Sequence, residues 1–282
     1  MCDTRSNAIT IALCMLSAAL TGGCRSALDR SAVPTLTAAR TPEPPSLTAD
    51  PDDPSWVNIE AIEGLSLVTP VKDGLATYPE PVYPTRVQAL WDASALYLRF
   101  RCTDPEPYAP FDGHDDLHHQ GDVVEVFIDP VGNALQWYEF QFSPRGKVLD
   151  KRFVMSVPPE VDKQGVLTGA SRRHLRESLD WDATDLHVST RYVVGQGGTE
   201  AQWIVDAAIP AAVLTQHHGG GPLTPMTLWV NFVRNDRPMN PAGERRLVAT
   251  TWVDILAGRP HVSPRARGRL VLAPADQTDT TR

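Results

Sequence analysis

The stretch from Gly113 to Pro130, GHDDLHHQGDVVEVFIDP, concentrates residue types that carry chemistry. Imidazole nitrogens and carboxylate oxygens bind metals, and carboxylates also bond to sugar hydroxyls. The side chains that zinc would use are three histidines and two acids: His114, Asp115, Asp116, His118 and His119. Adjacent side chains diverge, however, and no HExxH or CxxC spacing imposes a shared face. Loop acids suit calcium better, so the metal site that we predict here is a calcium site of Asp112, Asp115 and Asp116.

The elements around this stretch are predicted to be β-strands. Runs such as ALYLRFRC, DVVEVFIDP, WYEFQFSP and MTLWVNFVRND alternate apolar and polar residues and end at Gly, Pro, Asn or Asp. Many short runs of this kind are typical of an antiparallel β-sandwich, here all-β and jelly-roll-like. Two short helices are also expected, one in IPAAVLTQ behind Pro210 and one in ASRRHLRESL.

A predicted hairpin sorts the chemical residues onto one face. Because side chains alternate along a strand, Val124, Val126 and Ile128 should face the core while Glu125 faces away. The next run repeats the pattern and is joined to the first by DPVGNALQ. Its inward side chains are Tyr138, Phe140 and Phe142, and its outward side chains are Trp137, Glu139 and Gln141.

The outward face of this hairpin combines two kinds of group that a sugar needs. Glu125, Glu139 and Gln141 offer planar groups to hydroxyls, and Phe127 and Trp137 offer aromatic surface to C–H faces. The same pattern is also consistent with a solvated outer face without a specific ligand. From the alternation alone, both interpretations stay open.

The N-terminus is predicted to be an export signal. The apolar run AITIALCMLSAAL is too short to span a bilayer, and it leads into LTGGC, which resembles a bacterial lipobox. We therefore expect residues 1–24 to direct export, Cys24 to carry lipid, and the protein to be anchored to the cell envelope membrane. Residues 25–54, rich in Pro, Thr and Ala, are predicted to form a disordered tether, residues 55–274 the sandwich, and residues 275–282 a disordered tail.

Composition excludes some partners. A formal net charge of −8 disfavours nucleic acid, which requires a basic surface. Cys102 would be the one thiol left in the mature domain, so an internal disulfide is excluded, and its place in ALYLRFRC predicts a small buried hydrophobe.

An ordered set of motifs resembles the landmarks of family 9 carbohydrate-binding modules. They are LWDASALYLRF, GDVVEVFIDP, YEFQFSPRG, WIVDAAIP, NFVRND, TTW and RGRLVL, spread over residues 56–274. The resemblance implies a β-sandwich that binds a polysaccharide or oligosaccharide at the envelope, often beside glycan-degrading enzymes in polysaccharide catabolism. Members of this family often carry structural calcium, so the resemblance also implies a calcium site. Sugar binding itself requires no cofactor.

The resemblance also implies site residues. Glu125 matches the sugar-binding glutamate of VEVFID, Arg145 falls at the arginine, Asn231 is the amide candidate, and Trp252 matches the later stacking tryptophan. The earlier tryptophan of the family is replaced by histidines. We therefore expect His119 or Trp137 to assist stacking.

The predicted function is non-catalytic sugar binding, and three alternatives stay open. The missing tryptophan favours a structural envelope protein without a ligand. Glu125 and Glu139 could instead act as the carboxylate pair of a glycoside hydrolase. The third alternative is haem ligation by Met and His, although the sequence contains no C-x-x-C-H motif to support it.

Overall fold

The part of the chain that the structure describes contains fourteen strands and two short helices. The computed structural model describes residues 33–68, 82–195, 197–255 and 259–274. The strands are β1 Thr35–Arg40, β2 Ala61–Glu63, β3 Ser66–Leu67, β4 Thr85–Trp91, β5 Ala95–Thr103, β6 Val123–Asp129, β7 Gln136–Phe142, β8 Val148–Met155, β9 Leu175–Ser178, β10 His187–Val193, β11 Gln202–Pro210, β12 Thr227–Asp236, β13 Val248–Thr251 and β14 Gly268–Leu272. The helices are α1 Gly169–Arg172 and α2 Ala211–Thr215.

The strands form two layers joined by β1. One layer has the order β10-β11-β5-β4, and the other has the order β14-β12-β6-β7-β8-β9. β1 pairs in parallel with β4 on one side and with β14 on the other. The predicted β-sandwich is confirmed. The strands after β1 pair antiparallel with one another, as expected, whereas both pairs that β1 makes are parallel.

The main core lies between the layers. Phe100 of β5 meets Phe232 of β12 edge to face, with ring centroids 5.8 Å apart. The predicted inward residues of β6 and β7 all belong to this core: Val124, Val126, Ile128, Tyr138, Phe140 and Phe142. Cys102 is buried here as predicted, and burial raises its pKa to about 12, so it is an inert thiol.

The predicted tether is wrong from Thr35 onward. Leu36 and Ala38 of β1 are buried in the core, because the run TLTAAR alternates apolar and polar residues like any other strand here. Farther along, the Ala49 amide donates to Asp206 of β11, and Trp56 is buried. The sandwich therefore includes residues before Ser55. The predicted export signal, Cys24 and the tail 275–282 lie outside the described residues.

Both predicted helices are shorter than their sequences suggested. α2 begins directly after Pro210, which caps the helix rather than opening it. α1 covers only Gly169–Arg172, and the rest of its predicted segment forms β9 at the edge of the sheet. Within the described ranges, neither helix is long and apolar enough to cross a membrane.

Candidate functional site

The hairpin of β6 and β7 places three polar side chains together on the outer face of the sheet. Glu125 lies directly opposite Gln141, and Phe127 lies opposite Glu139. Glu125 and Glu139 are therefore diagonal neighbours on one face, at a spacing of roughly 7–8 Å between backbone positions. This is the arrangement that the alternation predicted.

Neighbouring strands extend this face in both directions. On one side, β8 sets Lys151 directly opposite Glu139, and β9 adds Glu177. On the other side, β12 sets Val233 opposite Glu125, and Asn235 follows on the same face. The outer face thus carries carboxyl, amide and ammonium groups over five adjacent strands, β12, β6, β7, β8 and β9.

These side chains form the floor of a pocket of about 290 Å³, which we call the outer-face pocket. Most of its walls come from segments that connect the strands. The lining residues are Val68, His119, Glu125, Glu139, Gln141, Lys151, Glu177, Val233, Asn235, Arg237, Leu247, Ala249, Ile255, Pro260 and His261. The pocket therefore has a polar floor and a partly apolar rim.

Hydrogen bonds hold the floor in place and leave one acceptor unused. Asn235 Nδ2 donates to Glu125 Oε1 at 2.9 Å, and Gln141 Nε2 donates to Glu139 Oε1 at 2.6 Å. Gln141 is buried, and its Oε1 finds no hydrogen-bond partner among the described residues. A buried acceptor without a partner costs free energy, so a ligand hydroxyl that donates to this oxygen would be favoured.

Burial raises the pKa of both glutamates. Desolvation raises the pKa of Glu125 well above its usual range, and the nearby Glu139 carboxylate raises it further. Desolvation also raises the pKa of Glu139, although Lys151 and the bond from Gln141 oppose this. A carboxyl group that keeps its proton can donate as well as accept hydrogen bonds, which suits hydroxyl partners.

Cationic and imidazole groups line the rim. Arg237 follows β12; its backbone amide donates to Asp122, and its guanidinium donates to the His119 carbonyl at 3.2 Å. Desolvation and neighbouring cations lower the pKa of His119, and they lower the pKa of His261 to about 4. Both imidazoles are therefore neutral near pH 7 and present flat, weakly polar surfaces.

Two of the six predicted sugar-binding residues lie in the pocket. Glu125 is on its floor, and His119 is on its rim. Their roles in binding stay predictions.

Trp137 does not reach the pocket. Its ring is fully buried and stacks on Phe153, with centroids 5.2 Å apart and planes at 4°. Val166, Leu167 and Val262 complete this second apolar cluster. The prediction that Trp137 assists stacking is corrected, because loop residues cover the outer face at that end.

Asn231 has a structural role. Its Nδ2 donates to the Val253 carbonyl at 2.9 Å, and its Oδ1 accepts from the Val253 amide and the Thr251 hydroxyl. The amide thus ties β12 to the end of β13 instead of meeting a ligand. Asn235 lies four residues farther along β12 on the same face, and it supplies the amide of the pocket.

Arg145 and Trp252 also lie elsewhere. Arg145 occupies the turn between β7 and β8, where it pairs with Asp112 at 2.7 Å. Trp252 packs on the inward-facing Phe232 with centroids 5.5 Å apart, close against Gly268. The guanidinium of the pocket comes from Arg237 instead.

The predicted calcium ligands engage different partners. Asp112 pairs with Arg145, and Asp116 accepts from the Gly113 amide at 2.7 Å. Asp115 lies near His114. The three acids do not converge on one point among the described residues. Calcium binding stays a prediction.

Several pocket residues were missed from the sequence. Lys151 and Asn235 obey the same alternation as Glu125, so a register for β8 and β12 would have found them. Arg237 and His261 lie in connecting segments, where alternation gives no signal.

Comparisons with known proteins support the fold and the resemblance. Residues 73–152 match the family model described as "Carbohydrate family 9 binding domain-like". A family 9 carbohydrate-binding module from Caldicellulosiruptor kristjanssonii, in complex with glucose, is similar with a TM-score of 0.56 at 13% identity, covering 87% of this chain and 100% of that one. The same organism's module in complex with cellotriose gives 0.53 at 14% identity, covering 88% and 98%.

A third solved structure, of a Bacteroides uniformis protein, has a TM-score of 0.56 at 16% identity and covers 85% of this chain and 99% of that one. No curated protein matches the chain. The predicted resemblance to family 9 modules and the predicted β-sandwich are thus confirmed.

Proposed function

We propose that this protein binds a sugar in the outer-face pocket and does so without catalysis. The observation that carries this proposal is the buried row of Glu125, Gln141 and Glu139 at the pocket floor, with Gln141 Oε1 left without a partner. Sugar hydroxyls donate and accept at once, and they match a floor that mixes amide, carboxyl and ammonium groups.

The rim suits the less polar side of a sugar ring. Val68, Leu247 and Ile255 offer apolar contact, and the neutral imidazoles of His119 and His261 offer flat surfaces. An imidazole covers less area than an indole, so we expect weaker stacking than a tryptophan pair would give.

The size of the pocket favours a short ligand. A volume of about 290 Å³ is at the lower end of ligand sites, which run to roughly 1,000 Å³. We propose recognition of one or two sugar units. Glucose and cellotriose are the first ligands to try, because they are bound in the similar Caldicellulosiruptor structures.

The family comparison favours binding over hydrolysis, because the matching family model describes a binding domain.

We propose that the protein works at the cell envelope, anchored through lipid on Cys24, as an accessory to glycan-degrading enzymes. The support is the lipobox-like LTGGC after an apolar run. Metabolic labelling with a radioactive fatty acid tests the anchor: label should enter the wild type and be absent from Cys24→Ser. Label in both would refute lipidation of Cys24.

Sugar binding is tested by screening the full chain on a glycan array, followed by calorimetry on the hits. We expect saturable binding that is lost in Glu125→Gln and weakened at least ~10-fold in Arg237→Ala. Arg145→Ala is the matched control, since this arginine lies outside the pocket, and it should bind like the wild type. Circular dichroism checks that each variant is folded.

Two results would contradict the proposal. Binding that is unaffected in the pocket variants but lost in Arg145→Ala would move the site to the β7–β8 turn. An absence of binding to any glycan by the folded wild type would favour a structural envelope protein.

A further inference from the structure

A second cluster of polar side chains lies on the opposite face of β8 from the outer-face pocket. His114 Nε2 is 3.0 Å from Asp182 Oδ1, 3.3 Å from Asp150 Oδ1 and 3.7 Å from Asp115 Oδ1. The ligand atoms of His114, Asp150 and Asp182 all lie within 4.8 Å of one another. Three separate chain segments therefore converge on one point.

The fold buries one of these acids. Asp150 lies on β8 opposite Phe140, so it continues the inward face of the sheet, and it is only 1% exposed. Its Oδ2 accepts from the Ala183 amide at 2.5 Å. Its Oδ1, in contrast, points toward His114 and lacks a hydrogen-bond partner within the described part of the chain.

The other groups are held at the surface around this oxygen. Asp115 adopts a left-handed backbone with φ of 60°, and its amide donates to the Val148 carbonyl at the start of β8. Asp182 follows Trp181, whose ring packs on Tyr138 of the core with centroids 4.9 Å apart. Both acids are thus fixed by neighbouring structure, while the cluster stays open to solvent.

The charges in this cluster do not balance. Three carboxyl groups surround one imidazole, so even a protonated His114 would leave an excess of negative charge beside the buried Asp150. A bound cation would remove both the charge excess and the missing partner of Oδ1.

The donor set indicates which cation fits. One imidazole nitrogen with carboxylate oxygens suits zinc and related transition metals, whereas calcium prefers oxygen ligands alone. Zinc ligands at about 2.1 Å in a tetrahedron are roughly 3.4 Å from one another. The imidazole nitrogen of His114 lies 3.0 Å from Asp182 and 3.3 Å from Asp150, close to that value.

We propose that His114, Asp150 and Asp182 bind one divalent transition-metal ion such as zinc. The ion ties the segment that contains His114 and the segment that contains Asp182 to β8. Because Asp150 and Lys151 point to opposite faces of β8, this site is separate from the sugar pocket. Sequence spacing did not reveal it, since Asp150 and Asp182 come from distant positions.

The test is zinc titration of the full chain by calorimetry after removal of metal with EDTA. We expect one saturable equivalent in the wild type that is lost in His114→Ala and in Asp182→Asn. Both substituted residues are exposed, so folding should persist. His187→Ala is the matched control, because this histidine is exposed on β10, and it should keep the equivalent.

Thermal melting supplies a second readout. Zinc should raise the melting temperature of the wild type and of His187→Ala but leave that of His114→Ala unchanged. The proposal is overturned if the wild type shows no saturable zinc binding, or if both ligand variants keep it. Calcium that displaces zinc at equal concentration would overturn the transition-metal assignment.

Discussion

The buried ion pair of Arg99 and Asp206 anchors the N-terminal segment around Ala49 to the sandwich. We predict that breaking this pair destabilises the protein and loosens that segment. Arg99 bonds to Asp206 through two nitrogens, each at 2.7 Å, and both side chains are fully buried. The same pair receives the preceding segment: Asp206 accepts from the Ala49 amide, and Arg99 donates to the Asp50 carbonyl. Arg99 also lies over the ring of Trp56, 4.9 Å from its centroid.

The substitution Asp206→Asn removes the charge while keeping the shape. It removes the nearer counter-ion of the buried Arg99 guanidinium and leaves only the Asp53 carboxylate at 3.8 Å. Loss of one partner from a buried ion pair costs about 3–5 kcal/mol of unfolding free energy. Glu63→Gln is the matched control, because Glu63 also bonds to an arginine at 2.7 Å but is 69% exposed. Exposed pairs contribute less than about 1 kcal/mol. In a domain of this size, each kcal/mol of lost unfolding free energy lowers the melting temperature by about 2–4 °C. Asp206→Asn should therefore melt about 6–20 °C lower than the wild type.

The assay combines thermal melting with limited proteolysis. Because the segment around Ala49 is held through Asp206, cleavage between residues 41 and 54 should become faster in Asp206→Asn than in Glu63→Gln. If the two variants melt within about 2 °C of each other, the pair contributes far less than its burial implies. In that case the reasoning that this network orders the N-terminal segment would be refuted.

Three further predictions concern the pocket and the turns. The folded-state pKa of Glu125 and of Glu139 lies above the usual 4.5, so ionisation of either group destabilises the folded wild type as pH rises from 4 to 8. Glutamine does not ionise, so Glu125→Gln and Glu139→Gln should gain stability relative to the wild type over this range. Trp137→Ala should cost about 3–5 kcal/mol, because it empties a buried aromatic site, without changing the sugar affinity of the folded protein. Gly132→Ala should destabilise more than Gly165→Ala: both glycines have positive φ, +74° and +77°, but only at Gly132 would a Cβ meet a tryptophan indole nitrogen at 2.1 Å.

Denaturant unfolding at several pH values checks the first of these predictions, and a constant difference between variant and wild type would contradict it. Calorimetry with the sugar found on the array checks the second. Weaker sugar binding by folded Trp137→Ala would return that ring to the site. Equal melting temperatures for the two glycine variants would show that the turn at Gly132 adjusts without cost.

The hairpin of β6 and β7 was predictable because alternation is a local property. Each strand has one face for Val126 or Phe140 and another for Glu125 or Glu139, and the structure keeps these assignments. The fold class follows from the same signal repeated along the chain.

Positions that depend on distant segments were not predictable in this way. Alternation correctly set Trp137 on the outer face, but it carries no information about the loop that covers it. Asn231 and Asn235 share a face. Asn231 is bonded to the Val253 backbone, which comes from a distant segment, so Asn235 is the amide that lines the pocket. β1 was missed because its composition resembles a linker, and its pairing partners lie far along the chain.

If Cys24 is lipidated as proposed, the inclusion of β1 in the sandwich limits how far the fold can lie from the membrane. Under the proposed lipidation of Cys24, only eleven residue steps separate the anchor from Thr35, which is already part of the sheet. Even a fully extended chain of that length reaches only about 39 Å, whereas a tether lasting until Ser55 would allow about 110 Å. The sandwich would therefore stay within roughly one bilayer thickness of the lipid surface. Glycans would have to come to the membrane to be captured, and short diffusing fragments meet that condition more readily than distant polymer.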